Sequence, residues 1–339
     1  MTASDGHIYL LLAVAALLGL LLLWRLARRL RRGPPRRPGF FRRTGWPLGL
    51  FLVVMVGTWL IVMVVLPQLF MIDLSFRPRL PLAQMGGPRD IYTLQNYRYL
   101  LFGSTVSTES WNAVHLRALG LTIVSAMLIT LFNLVLCYPL AYYMGQVAGP
   151  RGLRLLLLLL IAPYWLNDIL RAFAFRILFA ESGLLNAMLL GAGLLDRPID
   201  FIGQNIALYA CLTYAYMLLM LFPLYNALEA FEHSQAEAAR DLGAPWWHIH
   251  LFVVVPAVKG GIASGCTLVF MLATGALAAP LVLSGTSVLW FTPIVYDRFY
   301  QVFNWPQGAA YAFALLAICI ILVIALLRRL RLSLTDVVR

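Results

Sequence analysis

A polar stretch between two long apolar runs carries the most informative residue types and spacings in this chain. It reads SQAEAARDLGAPWWHIHLFVVVP, from Ser234 to Pro256. Ser234 and Glu237 have the spacing of a capping box, which predicts that a short helix starts here. Gly243 suits the left-handed position that follows a helix, and Pro245 prevents the helix from continuing. The pattern therefore predicts a short, sharply ended helix within a polar loop.

The predicted helix has a face that another protein can approach closely. Ala238 and Ala239 are small, and Arg240 and Asp241 supply polar contacts beside them. This composition favours protein recognition. An ordinary interhelical loop with a capped turn is the alternative, but it leaves the glycine and the proline at these offsets unexplained. The expected docking segment comprises Ser234, Glu237, Ala238, Ala239, Arg240, Asp241, Leu242, Gly243 and Pro256.

A second group of polar side chains interrupts an apolar run. Asp168 and Arg171 stand three residues apart, so they can neutralise each other on one face of a helix. Charged side chains in apolar segments also mark solute pathways, which gives Asp168 a second interpretation as a solute contact. A helix break after Pro163 would free backbone carbonyls toward an aqueous path. The candidate path residues are Tyr164, Trp165, Asn167, Asp168 and Arg171, and the two aromatic rings are able to face a cation.

The sequence lacks the motifs of the common catalytic and nucleotide-binding sites. It contains no Gly-x-x-x-x-Gly-Lys-Ser/Thr loop, no His-Glu-x-x-His and no nucleophile elbow. His248 and His250 stand beside two tryptophans, a combination typical of residues that anchor a helix at a membrane interface. We therefore expect neither an enzyme nor a cofactor or metal site in this chain.

The composition determines the surroundings of the protein. Of its 339 residues 62% are hydrophobic and 12% are charged, which predicts a membrane protein with several spans. The net charge of +12 comes almost entirely from arginines gathered in particular loops, which argues for contact with the lipid bilayer and against nucleic-acid binding. The four cysteines lie in apolar runs without metal-ligand spacing, so we interpret them as small hydrophobic residues.

Seven apolar segments are each long enough to cross a hydrocarbon layer, which takes about 20 helical residues. The connector after the first segment carries nine arginines and is expected in the cytoplasm. This places the N-terminus outside, and it places the loop 229–256 and the C-terminus in the cytoplasm. The predicted spans lie near residues 8–24, 47–72, 112–145, 155–179, 206–228, 257–283 and 308–327.

The first apolar segment differs from a cleaved signal peptide, because its basic residues follow the apolar run instead of preceding it. We interpret it as a retained helix. The expected organisation is an extra N-terminal transmembrane helix over 1–24, an Arg/Pro-rich cytoplasmic connector over 25–45, a helical domain over 46–328 and a cytoplasmic tail over 329–339.

The order Glu-Ala-Ala, three residues, Gly, nine residues, aliphatic-x-aliphatic-Pro resembles the cytoplasmic loop of ABC-importer permeases. Other stretches of the chain resemble the spermidine/putrescine-type branch of these permeases, and together they extend over roughly residues 45–328. These stretches are YTLQNYRYLL at 92–101, CYPLAYYM at 137–144, APYWLNDILRAFAFRIL at 162–178, SGLLNAML at 182–189, FPLYNALEAFEHSQAEAARDLGA at 222–244 and NWPQGAA at 304–310.

The resemblance implies an all-α, six-helix permease core in a bacterial cytoplasmic (inner) membrane, to which this chain adds one N-terminal transmembrane helix. It also implies partners: two ABC ATPase subunits that bind ATP and Mg, a second permease expected to be a different chain, and a periplasmic or surface substrate-binding protein. The loop 234–256 would contact the ATPases.

The solute that the resemblance implies is a polyamine. One departure argues against it, because Ala276 stands where many similar permeases carry an acid. An oxyanion, ferric iron, thiamine or a sugar therefore remain alternative solutes of an importer. A secondary transporter is a further alternative, although the sequence shows no convincing internal repeat.

Overall fold

The computed structural model describes residues 45–81, 84, 87–103, 110–284 and 289–332. The predicted N-terminal helix 8–24, nearly all of the connector and most of the tail lie outside the described residues. Within the described part of the chain the regular secondary structure is helical and no strand is present. The all-α class is thereby confirmed.

The described helices are numbered in chain order, and three of them include a π-helical turn. They are α1 (Trp46–Ser75), α2 (Gln95–Phe102), α3 (Ala113–Val147), α4 (Pro150–Ile161), α5 (Asp168–Leu178), α6 (Leu184–Gly191), α7 (Ile206–Glu229), α8 (His233–Asp241), α9 (Trp246–Ala257), α10 (Lys259–Thr274), α11 (Ala278–Leu283), α12 (Phe291–Tyr300) and α13 (Trp305–Arg329).

Four of these helices, α1, α3, α7 and α13, are long and apolar enough to cross a membrane. They match the spans predicted near 47–72, 112–145, 206–228 and 308–327. Helices α9 and α10 pass the same test as a pair, although their axes differ by 75° at the break between them.

The predicted spans 155–179 and 257–283 are each interrupted by a helix break. Helix α4 ends at Ile161, a 3₁₀ turn covers Ala162–Trp165, and α5 begins at Asp168. Pro163 provides no backbone N–H for a continuing helix, and the side chain of Asn167 caps the new one. The predicted span 257–283 is interrupted in the same way, since α10 ends at Thr274 and α11 begins at Ala278.

The chain divides into two compact units, of which the first comprises residues 45–112 and 297–314 among those described. Its polar network follows the end of α1. The Arg77 guanidinium contacts Asp73 at 2.7 Å and also Asp90, and the Tyr92 hydroxyl donates to Asp73. This hydrogen bond to Asp73 is the main cause of a raised pKa at Tyr92. The network fixes the course of the chain beyond α1.

The second unit comprises residues 113–296 and 315–332 of the described chain, and its core consists of α3, α7 and α10 packed on one another. Gly261 and Gly265 of α10 allow a close approach to α7. A Cβ atom at Gly261 would lie 2.5 Å from the Pro223 carbonyl oxygen, and one at Gly265 would lie 2.7 Å from the sulfur of Met220. Small residues four apart are a common means of bringing two membrane helices together.

Candidate functional site

The docking segment forms the predicted short helix, but the helix begins differently from the prediction. Helix α8 starts at His233 with Glu232 as its N-cap, and no side chain caps it. Ser234 and Glu237 therefore lie inside the helix, and the predicted capping box is wrong. A tertiary contact lies at this start, where His233 Nδ1 is 3.2 Å from Gln146 Oε1. Glu237 contacts His233 at 3.6 Å instead of a backbone N–H group.

The end of α8 agrees with the prediction. Gly243 has φ +81°, the left-handed conformation that follows a helix. The N–H of Ala244 donates to the Ala239 carbonyl and that of Gly243 to the Arg240 carbonyl, which is the Schellman arrangement. Pro245 is extended and precedes α9. The chain thus reverses within a few residues and leaves the C-terminal end of α8 exposed.

Helix α8 has one inner side and a wide outer side. Ala236 is buried and Ala239 is half-buried, so these two residues face the rest of the unit. The side chains at the other predicted docking positions project away from it, and Leu242 is 89% exposed. The exposed predicted docking residues are Ser234, Glu237, Ala238, Arg240, Asp241, Leu242, Gly243 and Pro256.

The Gln146 side chain connects α8 with two longer helices. Gln146 lies at the end of α3, and its Nε2 donates to the Leu228 carbonyl at 2.6 Å and to the Phe231 carbonyl at 3.2 Å. Its Oε1 contacts His233, as described above. The neighbouring Gly145 is packed so closely that a Cβ atom there would lie 3.1 Å from the backbone nitrogen of Glu229. The side-chain amide of Gln146 therefore joins the ends of α3 and α7 to the first turn of α8.

Helix α9 is held on α3 by His250. Its Nδ1 lies 2.9 Å from the Tyr138 hydroxyl, and its ring packs edge-on against Tyr142 with centroids 4.6 Å apart. His248 is exposed instead and contacts the ring of Phe252. His250 thus packs against α3, whereas the side chain of His248 is exposed. No cluster that could hold a metal ion occurs among the described residues.

The candidate path residues lie where the two broken spans meet. A cavity of about 320 Å³ is enclosed by α5, α7, the end of α10 and the start of α11. Asp168 is the only acid among its lining residues, and Ala276 is part of its wall. The residues that line it are Asp168, Arg171, Cys211, Leu212, Ala215, Tyr216, Met271, Leu272, Gly275, Ala276, Leu277, Ala278 and Ala279.

Asp168 and Arg171 are brought together at this cavity. Arg171 Nη2 lies 3.2 Å from Asp168 Oδ1 and donates to the Leu166 carbonyl at 3.0 Å. The guanidinium also stacks over two rings, with its carbon 5.3 Å from the centroid of Tyr164 and 5.8 Å from that of Tyr214. Both distances are within the range of a cation–π interaction.

The other three candidate path residues have distinct positions. The Tyr164 hydroxyl inserts into the hydrogen-bond ladder of α7, where it donates to the Tyr214 carbonyl at 2.8 Å and accepts from the N–H of Leu218 at 3.0 Å. Asn167 accepts from the N–H of Ile169 and so caps α5. Trp165 is exposed. Tyr164 therefore faces Arg171 of its own chain, and Trp165 is separate from the cavity lining.

Three residues at these sites were not anticipated from the sequence. Gln146 and Tyr214 have no local pattern that distinguishes them, since their partners are distant along the chain. Tyr216 lines the cavity and donates to the Leu272 carbonyl at 3.2 Å. Gly261 and Gly265 have the spacing of a helix-packing motif, which is a signal that the sequence offers for the contact between α10 and α7.

The second unit thus combines long apolar helices, a mostly apolar cavity that contains one ion pair, and a short exposed helix, α8. The family described as "Binding-protein-dependent transport system inner membrane component" matches residues 137–331. Two similar proteins are named "Spermidine/putrescine transport system permease protein PotB". That of Haemophilus influenzae is 30% identical over 271 residues, 80% of this chain and 90% of that protein. That of Escherichia coli K12 is 32% identical over 260 residues, which cover 76% of this chain and 89% of that protein.

A solved structure supports the same fold. The bacterial alginate ABC transporter, in complex with an alginate pentasaccharide-bound periplasmic protein, superposes with a TM-score of 0.59 at 17% identity. The match covers 85% of this chain and 96% of that chain.

The chain belongs to the binding-protein-dependent transport system inner membrane component family. It is therefore a permease subunit of an ABC importer, a non-catalytic component of the inner membrane with several spans. This assignment separates it from the secondary transporters.

Proposed function

We propose that this permease forms part of the translocation path for a polyamine such as spermidine or putrescine. The observation that supports this solute is a single carboxylate, Asp168, in the wall of the cavity of a chain that resembles permeases named for polyamines. A carboxylate at the wall of a mostly apolar cavity can pair with an ammonium group through a charge-assisted hydrogen bond. Asp168 is accordingly the residue proposed to contact the solute as it passes.

The energy for transport is proposed to enter through the docking segment. Two ATPase subunits, which bind ATP and Mg, would contact the exposed side of α8. Helix α8 is joined through Gln146 to the ends of α3 and α7, and α9 continues into α10 after the bend. Helices α7 and α10 both reach the cavity wall. A displacement of α8 would thus be transmitted along these two helices and would alternately open the cavity to either side.

The remaining partners are proposed from the family, and the orientation is proposed from the placement of the arginines. A second permease, expected to be a different chain, would complete the path, and a periplasmic or surface binding protein would deliver the solute. The loop 229–256 and the C-terminus are proposed to be cytoplasmic and the N-terminus outside, because the arginine-rich connector is costly to translocate. Residues 46–328 would form the six-helix permease core.

The experiment that tests the solute uses the assembled transporter in proteoliposomes with its cognate binding protein. Radiolabelled spermidine and putrescine are the probes, and ATP-dependent accumulation of either one is the expected result. Calorimetry on the binding protein with the same amines provides an independent measurement. Binding of sulfate, ferric iron, thiamine or a sugar in place of the amines would refute the polyamine proposal and leave the assignment as an importer permease intact.

A second candidate is import of another small solute, and one observation favours it. Ala276 lies in the cavity wall without an acidic side chain, so the cavity offers one carboxylate to a solute that carries at least two positive charges. The same uptake assay, with sulfate or a sugar as competitor, separates the two candidates.

A further inference from the structure

The two members of the Asp168–Arg171 pair differ in their surroundings. The side chain of Arg171 is 6% exposed, whereas that of Asp168 is 77% exposed and lines the cavity. A single contact of 3.2 Å joins them. The carboxylate therefore has free acceptor positions directed away from Arg171, because an ionised carboxylate offers about four lone-pair sites.

Arg171 has further partners that remain in place without Asp168. Its Nη2 donates to the Leu166 carbonyl, and its guanidinium lies over the rings of Tyr164 and Tyr214. Tyr164 is fixed by its two hydrogen bonds to α7, so its ring cannot swing aside easily. Arg171 Nε has no hydrogen-bond partner among the described residues, which makes the two rings the larger part of its surroundings. The positive charge of Arg171 is thus stabilised from several sides by its own chain.

A second arginine–aspartate group among the described residues is closed to solutes. Arg77 contacts both Asp73 and Asp90, whose side chains are 12% and 5% exposed. The Tyr92 hydroxyl also donates to Asp73. Neither of these carboxylates is accessible enough for a solute to replace the arginine.

We propose that Asp168 is an exchangeable counter-ion, which an ammonium group of the solute takes over from Arg171 during passage. Arg171 keeps its contacts with the two rings and the Leu166 carbonyl, which offset part of the cost of losing its counter-ion. The accessible carboxylate of Asp168 offsets one positive charge of the entering solute, which lowers the electrostatic barrier to entry. This inference rests on the proposed amine import.

A double substitution separates exchange from simple neutralisation. If Asp168 only neutralises Arg171, then Asp168→Asn harms transport by leaving a buried charge, and adding Arg171→Gln restores transport. If Asp168 receives the ammonium group, the double variant stays defective. We expect spermidine uptake per assembled transporter to fall about tenfold or more in Asp168→Asn and in Asp168→Asn/Arg171→Gln, the range for losing a charge-assisted contact. If spermidine uptake per assembled transporter in the double variant returned to within about threefold of the wild type, the exchange would be overturned.

A second pair of variants tests the role of the rings and does not alter either charge. Tyr214→Leu removes one ring from Arg171, which should then hold Asp168 more tightly, while Tyr214→Phe keeps the ring. We expect uptake by the phenylalanine variant to exceed that of the leucine variant about threefold, the size of an exposed cation–π contact. Equal uptake by the two variants would contradict the exchange even if the Asp168 variants assembled poorly.

The controls distinguish failure of the exchange from failure of the proposed solute. Asp73→Asn makes the same chemical change in the closed ion pair, and it should lower the amount of assembled transporter while uptake per transporter is maintained. A wild-type transporter that accumulates no amine would refute amine import and the exchange together. Wild-type uptake with an unaffected Asp168→Asn variant would refute the exchange alone.

Discussion

The docking segment and the cavity hold their polar residues in opposite ways. Helix α8 is attached to the rest of its unit through Ala236, Ala239 and His233, and its charged side chains are exposed. In the cavity, Arg171 is enclosed by a carbonyl and two rings of its own chain, and only Asp168 is left accessible. The exposed charges of α8 are accessible to the ATPase subunits that we propose bind there. Enclosed charges with internal partners indicate a site that one chain can build by itself.

The two regions are connected by α7 and α10, and the largest expected effect comes from separating these helices. Gly265→Leu would force α10 away from Met220, because even a Cβ atom at this position would lie 2.7 Å from the methionine sulfur. Overpacking of this kind destabilises by about 1–3 kcal/mol or more. We expect loss of both ATPase binding and uptake, measured by copurification and transport, with Gly265→Ala less affected. Loss of ATPase binding alone, or of uptake alone, would show that the two regions do not both depend on this packing.

A substitution in the docking segment should affect the ATPases and leave the cavity intact. Gly243 has φ +81° and open space around it, so Gly243→Asp adds a charge to the exposed end of α8. We expect ATPase binding to weaken by about 2 kcal/mol, roughly thirtyfold in Kd, as for a central interface residue. The measurement is titration of the detergent-solubilised permease pair with purified ATPase.

Asparagine is the matched control at this position, because it has the same shape, no charge and a similar tolerance of the left-handed conformation. Gly243→Asn should bind the ATPase more tightly than Gly243→Asp. Equal and tight binding by both variants would show that the end of α8 lies outside the interface.

A smaller effect is expected where the docking segment meets the long helices. Gln146→Ala removes the two hydrogen bonds to the α7 terminus and the contact with His233. Each such bond contributes about 1 kcal/mol, and ATPase binding should be largely preserved since Gln146 lies beneath α8. We expect uptake per ATP hydrolysed to fall about threefold. An unchanged ratio of uptake to hydrolysis would contradict transmission through this amide.

The smallest effect is expected from removing the N-terminal segment. Deletion of residues 1–44 with a new start codon should leave ATPase binding within about twofold of the full chain, because the proposed core begins at Trp46. In the full chain, a cysteine at Ser4 should react with an impermeant maleimide from outside and a cysteine at Gly33 should not. The opposite labelling would overturn the proposed orientation, and loss of assembly on deletion would place the segment in the core.

The sequence was most reliable where the signal was local. The end of α8 was predictable because Gly243 and Pro245 act through their own backbone geometry. The prediction of its start was wrong, because the helix begins at His233 without a side-chain cap, and His233 contacts Gln146, a residue distant along the chain. The break after Ile161 was suggested by Pro163, whereas the one after Thr274 has no comparably strong local signal. Tyr214 could not be found, since its role depends on how α5 packs against α7.

The most direct test of this account compares Gly243→Asp and Asp168→Asn in one preparation. Both variants are purified with the second permease and the ATPases, and copurified ATPase and spermidine uptake in proteoliposomes are measured side by side. We expect Gly243→Asp to lose the ATPase, and Asp168→Asn to retain it while its uptake falls about tenfold or more. Loss of the ATPase from both complexes, or undiminished uptake by Asp168→Asn, would contradict the separation of ATPase docking from solute passage.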